Sequence, residues 1–427
     1  MSTPLKVAIA GLGTVGGGVV KALQAHGKAL NDRAGRRIEI AFVCERDETK
    51  KSGFAVENWV SDIHAVAKTD ADVVVELIGG EDGPALELVE AALKAGKHVV
   101  TANKAMMARH GARLAALAEE KNLALKFEAA VAGGIPIVKA LRESLIVYGV
   151  VAVRGILNGT CNYILTQMET TGRPFGDVLK DAQKLGYAEA DPTLDVGGGD
   201  TAHKLALLAG LAFGVAPDLD TMPVQGITHI MPDDIAFARE FGFRIKLLGI
   251  AKKTPQGIDQ RVQPAMVRAG TPLGDVDGVF NAVSADTGAA GSFFFEGRGA
   301  GEAPTANAVI ADIVDIARGN IGPAFGIPER SLVPLSPAPS GSASSAFYLR
   351  FQVLDVPGVL AEIAGHLAKW RVSIESMIQR GRAPGEAVSI VMITHETTHA
   401  AIENALKTIA ESDKIISPPC MIPMEAR

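Results

Sequence analysis

Over the first third of the chain, short apolar runs alternate with longer amphipathic stretches. KVAIA (6–10), IEIAFVC (38–44), DVVVEL (72–77), KHVVTA (97–102) and LALKFE (123–128) predict buried strands. Residues 15–30, 84–95 and 106–121 carry apolar positions at helical spacing. That alternation implies a parallel sheet with crossover helices, an α/β unit over 1–130. Over 131–330 the order changes. Helical patterns (134–145, 160–170, 174–185, 199–214) precede candidate strands RIKLLGIAKK (244–253), IDQRVQPAMVR (258–268), VFNAVSA (279–285) and SFFFEG (292–297), and a last helix is predicted over 304–319. Helices followed by antiparallel strands predict an α+β domain covering one face of the open sheet. LVPLSPAPSGSASSA (332–346), rich in Pro, Ser, Gly and Ala, reads as the body of a linker over 331–346. FYLRFQVLD (347–355), a helix over 358–369, VSIESMIQRG (372–381), AVSIVMITH (387–395), a helix over 398–410 and a short strand near 414–416 then predict a ferredoxin-like unit over 347–427.

Composition narrows the class. With 48% hydrophobic and 21% charged residues the chain suits a globular protein of more than one domain. A formal charge of −6 without a basic stretch argues against a nucleic-acid partner. No run is long and apolar enough to predict a membrane helix, and the N-terminus reads as a first strand rather than a signal peptide. Three cysteines without a CxxC specify neither a disulfide framework nor a zinc site, which fits a reducing cytoplasm.

The first strand runs into Gly11-x-Gly13-x-x-Gly16 and then a helix opened by Thr14 and Val15. Such a turn lets backbone approach a pyrophosphate while the helix start presents unpaired N–H groups to it. In FVCERDE, Glu45 or Asp47 could hold a ribose 2′-hydroxyl and favour NAD, whereas Arg46 could meet a 2′-phosphate and favour NADP. Lys104, in TANKA (101–105), follows a strand at the carboxyl edge of the sheet, where ligands of open α/β sheets bind. GYAEADPTLDVGGGDTAHK (186–204) collects Glu189, Asp191, Asp195 and Asp200 ahead of Lys204. Asp200 and Lys204 lie four residues apart on one helix face. The helix continues LALLAGLAFG, apolar nearly all round, and Gly197–Gly199 precede the aspartate, so the pair is expected in a partly dry cleft rather than on a solvated face.

Gly11–Gly16, TANKA, FEAAVAGGIPI (127–137), GILNGTCNYIL (155–165), LGYAEADPTLDVGGGDTAHK (185–204) and GRGAGEAPTANAV (297–309) together resemble homoserine dehydrogenase over residues 5–320. No aspartokinase segment precedes them, so the resemblance is to the single-function form. It implies reversible NAD(P)H-dependent reduction of L-aspartate 4-semialdehyde to L-homoserine. In it Lys204 supplies the proton, Lys104 contributes positive charge and shares the acid/base role, and Asp200 anchors Lys204 and the substrate. Glu189 grips the substrate ammonium, with Asp195 and Tyr187 in the same wall. Gly186 and Gly301 join Gly11, Gly13, Thr14, Val15, Gly16, Arg46 and Lys104 around the cofactor. A monovalent cation, Na⁺ or K⁺, is expected on Glu128 and the carbonyls of Val131, Gly133 and Ile135. Asp191, before Pro192, is expected to serve a turn, and His203 to pack. The C-terminal VLDVPGVLAEIAGHLAKWRVSIESM resembles an ACT domain, with Asp355, Gly358, Val359 and Leu360 at its strand-to-helix turn. That implies L-threonine as effector and a homodimer or homotetramer. Two rival readings stand beside these: another semialdehyde oxidoreductase using Cys161 as nucleophile, and a non-catalytic nucleotide or amino-acid sensor.

Overall fold

The structure, a computed structural model, describes residues 3–51, 53–379 and 386–425. Six parallel strands form the first sheet: β1 (Leu5–Ala10), β2 (Ile38–Cys44), β3 (Trp59–Val60), β4 (Val73–Glu76), β5 (His98–Thr101) and β6 (Leu125–Lys126), in the order β3-β2-β1-β4-β5-β6. This is the doubly wound order whose direction reverses between β1 and β4, opening a crevice at their carboxyl ends. β4 is buried along its whole length because helices cover both faces. One cover comes from far along the chain. Helix Glu302–Ala317 lays Ala306, Val309, Ile310 and Ile313 into the same core as Val19, Val20 and Leu23 of helix Thr14–Ala34.

The second sheet holds β7 (Ala152–Ile156), β8 (Phe243–Thr254), β9 (Gly257–Arg268), β10 (Phe280–Asp286), β11 (Ser292–Arg298), β12 (Ser344–Leu354), β13 (Ile374–Gln379), β14 (Ala387–Thr394) and β16 (Cys420–Glu425). Their order is β11-β10-β7-β8-β9-β16-β12-β14-β13, with the two-residue β15 (Thr397–Thr398) pairing β12. The C-terminal unit therefore has the ferredoxin-like order, but its last strand also pairs in parallel with β9, Met424 opposite Met266. Across this seam Arg154 Nε donates to Glu425 Oε1 at 2.6 Å. Arg350 and Tyr348 of β12 both donate to buried Asp234, at 2.6 and 2.9 Å.

Four expectations are corrected. β7 carries Arg154 and Gly155 and reads as no strand in the sequence, yet it lies between β8 and β10. The last strand is not at 414–416, where only Ile415 makes an isolated bridge to Val353, but at Cys420–Glu425. The helix expected over 134–145 is a short turn, Ile137–Lys139, running into a π-helical stretch, Ala140–Ser144. The end of the linker is strand from Ser344, and earlier in it Val333 and Pro337 bridge Val215 and Ile258. Residues 380–381 of the expected strand 372–381 lie outside the described residues. Among the described residues no helix is long and apolar enough to cross a membrane.

Candidate active site

Two asparagine caps place the chemistry. Asn103 caps helix Lys104–Glu120, its Oδ1 accepting from Met106 N–H, so Lys104 is the first helical residue beyond β5. Its Nδ2 donates to Gly80 O at 2.6 Å, tying that start to the loop after β4. The loop is shaped by fully buried Glu76, whose Oε1 accepts from Ile78 and Gly79 N–H while Oε2 accepts from Thr101 Oγ1. In the second domain Asn158 follows β7 and caps helix Gly159–Thr171 through Cys161 N–H. Its free amide then donates to Asp195 Oδ1 at 2.7 Å and Asp200 Oδ2 at 2.9 Å.

Asp200, 4% exposed, is the centre of the site. Lys204 Nζ lies 2.7 Å from its Oδ2 and Lys104 Nζ 3.0 Å from its Oδ1, so one carboxylate bridges lysines from the two domains. Burial pushes its carboxyl up, but the two ammonium groups outweigh that and hold it well below the usual carboxylate range. Asp200 raises the Lys104 pKa against desolvation, with Asp195 and Glu189 adding to the effect. Lys104 is therefore a fixed positive charge at neutral pH. Lys204 also donates to Leu157 O at 2.7 Å, a carbonyl shared with Asn281 Nδ2. An ammonium has three donors, so one remains for a reacting oxygen. Burial raises the Asp195 carboxyl, with the Asn158 bond opposing it.

The other expected residues group as follows. Glu189 is exposed at the rim, and the Tyr187 ring stands edge-on to Tyr163 at 4.9 Å. Gly186 has φ +74° just after helix Phe175–Lys184. Asp191 accepts from Thr193 N–H and Oγ1, a local turn. His203 Nδ1 is buried without a hydrogen-bond partner among the described residues. Cys161 is fully buried and its Sγ donates to Asp195 O at 3.2 Å; burial raises its pKa well above the ordinary thiol value, the opposite of an activated nucleophile. Asn158, Asn281, Asn103 and Glu76 are positioning residues that the sequence reading missed. Asn103 and Asn158 each stand just ahead of a helix start, which was the available signal.

At the nucleotide end, Gly11 has φ +98°, and a Cβ there would meet Leu77 O at 2.7 Å. A Cβ on Gly16 would lie 1.9 Å from Gly11 O, so only glycine closes this turn, while nothing within 4 Å faces Gly13. Gly13 provides no side-chain cap, leaving the first-turn N–H groups of Thr14 and Val15 to a ligand. Glu45 accepts from Leu12 and Asp47 N–H, and Asp47 accepts from Thr49, so both candidate acids serve the local turn. Arg46 is exposed. Gly301, φ +120°, begins helix Glu302–Ala317, whose Glu302 pairs with Lys21 of the glycine-turn helix at 3.0 Å.

Family models match along the chain: "Homoserine dehydrogenase, NAD binding domain" over 11–128, "Homoserine dehydrogenase" over 136–314 and "ACT domain" over 347–413. A homoserine dehydrogenase from Neisseria gonorrhoeae is 43% identical over 431 residues, 99% of each chain. The chain belongs to the homoserine dehydrogenase family. The crystal structure of a homoserine dehydrogenase from Thiobacillus denitrificans superposes with a TM-score of 0.93 at 40% identity, covering 99% of both chains. A hyperthermophilic archaeal homoserine dehydrogenase solved in complex with NADPH superposes at 0.63 with 25% identity, covering 73% of this chain and 97% of that one. As a homoserine dehydrogenase, the chain is a biosynthetic oxidoreductase that interconverts L-homoserine and L-aspartate 4-semialdehyde with a nicotinamide nucleotide.

The residues expected to hold a cation and an effector lie apart from Asp200. Glu128 is 4% exposed, and its oxygens accept from Val138 N–H at 3.0 Å and Lys139 N–H at 2.8 Å. Burial and neighbouring Asp312 push its carboxyl up to about 7. The loop turns at Ala132, φ +47°, and the Ile135 carbonyl already accepts from Ile137 N–H. Among the described residues no group of three or more His, Cys, Asp or Glu could hold a metal ion. In the ACT unit Gly358, φ +95°, opens helix Val359–Lys369 without a side-chain cap, beside a cavity of about 330 Å³ lined by Asp355, Val359, Leu360, Gln379 and Ile390.

Proposed function

We propose that Lys204 is the proton carrier of this dehydrogenase and Lys104 its electrostatic partner. The observation that carries this reading is the bridging of both ammonium groups by buried Asp200. When bound, a nicotinamide nucleotide would supply the hydride for the aldehyde carbon. The developing alkoxide then meets the remaining N–H of Lys204 and takes its proton, while Lys104 holds positive charge nearby. Asp200 keeps the two lysines apart and oriented. Glu189 and Asp195 receive the substrate ammonium, with Tyr187 beside them.

Gly11, Gly13, Thr14, Val15 and Gly16 of the glycine turn would hold the nucleotide, with Gly186, Gly301 and Lys104 completing its site. Exposed Arg46 favours NADP over NAD, because Glu45 and Asp47 are engaged in the turn. Arg46→Ala should raise the KM for NADPH about ten- to hundredfold, as loss of a charge-assisted bond implies. The KM values for NADH and homoserine should stay unchanged in the same steady-state assay.

A monovalent cation, Na⁺ or K⁺, fits the loop 128–139. One buried carboxylate and the carbonyls of Val131, Gly133 and Ile135 make a hard oxygen set, and a cation there would offset the paired charges of Glu128 and Asp312. Its part is structural. Thermal unfolding should show a higher Tm in NaCl or KCl than in choline chloride at equal ionic strength, and Glu128→Gln should erase the difference. L-threonine is proposed at the ACT turn of Asp355, Gly358, Val359 and Leu360, where uncapped N–H groups suit a carboxylate. A homodimer or homotetramer is proposed from the ACT unit and from the exposed apolar run Ile146, Val147 and Tyr148. Three free, buried cysteines support a cytoplasmic location.

A further inference from the structure

Where β7 ends, β10 begins. Ala282 of β10 stands opposite Ile156, the last residue of β7, so Asn281 lies beside Leu157 where the chain leaves the sheet for the Asn158 cap. The segment leading to Asn281 is held firmly. Asn162 Nδ2 donates to the carbonyls of Val276, Gly278 and Phe280 at 3.1, 3.0 and 3.2 Å, and buried Lys246 also donates to Val276 O.

For packing alone, an amide is a poor choice at this place. Asn281 is 1% exposed, and its Oδ1 is buried without a hydrogen-bond partner among the described residues. Leucine has nearly the same shape and would leave no acceptor unmet. The amide cannot turn over to find a donor. Its Nδ2 donates to Leu157 O at 2.9 Å, and the reverse orientation would set two oxygens together. Glycines give it room. A Cβ on Gly299, in the loop between β11 and helix Glu302–Ala317, would lie 2.1 Å from Nδ2, and one on Gly159 would lie 3.4 Å from Oδ1. Gly299 is not among the residues with positive φ, so the amide, not the backbone, excludes a side chain there. A buried amide kept with its acceptor unmet points to a task for its donor.

That donor meets the carbonyl on which Lys204 rests. Leu157 O accepts from Lys204 Nζ at 2.7 Å and from Asn281 Nδ2 at 2.9 Å. A hydrogen bond to an ammonium favours its charged form. An oxygen divided between two donors holds each less tightly than it would hold one alone. In homoserine oxidation the substrate hydroxyl gives its proton to the neutral Lys204 amine, while the carbon-bound hydrogen leaves as hydride for the oxidised nicotinamide nucleotide. A lysine held as ammonium cannot take that proton. We propose that Asn281 loosens the grip of the Leu157 carbonyl on the Lys204 ammonium, easing proton transfer, and that Gly299 keeps the amide in place. Asn281 is thus a positioning residue acting through Leu157, an inference that rests on Lys204 being the proton carrier. The charged and titratable groups around Lys204 are Asp200 on its own helix, Lys104 beyond β5, Asp195 of Thr193–Val196 and Cys161 of helix Gly159–Thr171. Substitution at 281 or 299 alters none of them.

The test is the pH profile of kcat for homoserine oxidation by the full chain. Asn281→Leu should lower kcat about tenfold at pH 7, with the profile moved up by about one unit, the size of one hydrogen bond. The loss should therefore close as the pH approaches about 10. KM for homoserine and for the oxidised nucleotide should stay within about twofold, and Tm should be unchanged or higher. Gly299→Ala is the second variant and carries the test if leucine does not fold at 281. Its methyl group would displace the amide, so the same upward shift should appear. In an Asn281→Ala background, where the amide is gone, Gly299→Ala should add no further shift. A loss of equal size at every pH, an unshifted profile in Asn281→Leu, or a further shift from Gly299→Ala without the amide would overturn the proposal. Lys204→Ala, measured beside them, separates the two readings. Turnover at the wild-type rate would remove Lys204 as proton carrier, whereas slow turnover beside an unshifted Asn281→Leu profile would overturn the role of Asn281 alone.

Discussion

Lys204→Ala should lower kcat for homoserine oxidation by about 10²–10⁴, the range spanned by positioned general acids and bases. Nucleotide affinity should hardly change, since the bonds of Lys204 run to Asp200 and Leu157 and not to the glycine turn. Lys204→Arg sharpens the result. Arginine restores a positive charge near Asp200 but does not release its proton in a protein, so it should stay as slow as the alanine variant. If charge alone were required, arginine would recover most of the rate. Steady-state kinetics with a separate fluorescence titration of NADPH distinguish the two cases.

Asp200→Asn should impair both stability and turnover. The carboxylate is buried, and its removal leaves two ammonium groups facing each other across a neutral amide. Breaking a buried pair from one side costs about 3–5 kcal/mol. The pH dependence has a definite sign. The native carboxyl of Asp200 is held below its unfolded value, so its stabilisation is present above about pH 4 and is lost as pH falls through the native value. The raised pKa of Lys104 acts at the other end: its contribution is complete below its unfolded value and fades as pH rises through the still higher native one. Urea denaturation should therefore show a wide gap between wild type and Asp200→Asn at pH 7 and a narrower one at pH 3. An equal gap at both would remove the electrostatic account of Asp200.

The parts legible in the sequence are those decided locally. Five of the six strands of the first sheet are short apolar runs, the two-residue β3 (Trp59–Val60) being the one missed, and the glycine turn is specified by three residues whose neighbours forbid a Cβ or face open space. The Asp200–Lys204 pair needed only helical spacing. What stayed hidden depends on distant chain. β7 carries an arginine and a glycine because Arg154 meets Glu425 across the seam and a Cβ on Gly155 would strike Leu157 at 2.7 Å. β16 contains Pro423, an interruption in a strand pattern, yet it joins β9 to β12. Asn158 looks like a helix cap and is one, but its second bonds reach aspartates 37 and 42 residues away.

The central claim is that Lys204 moves the proton, and its most direct test is chemical rescue of Lys204→Ala with methylamine, ethylamine and ammonium at fixed pH. The account predicts that kcat rises in proportion to added amine and follows the amine's pKa and size, while Asp200→Asn shows no rescue. A Lys204→Ala enzyme that binds both substrates yet is indifferent to every amine, or one that turns over at the wild-type rate without any, would contradict it.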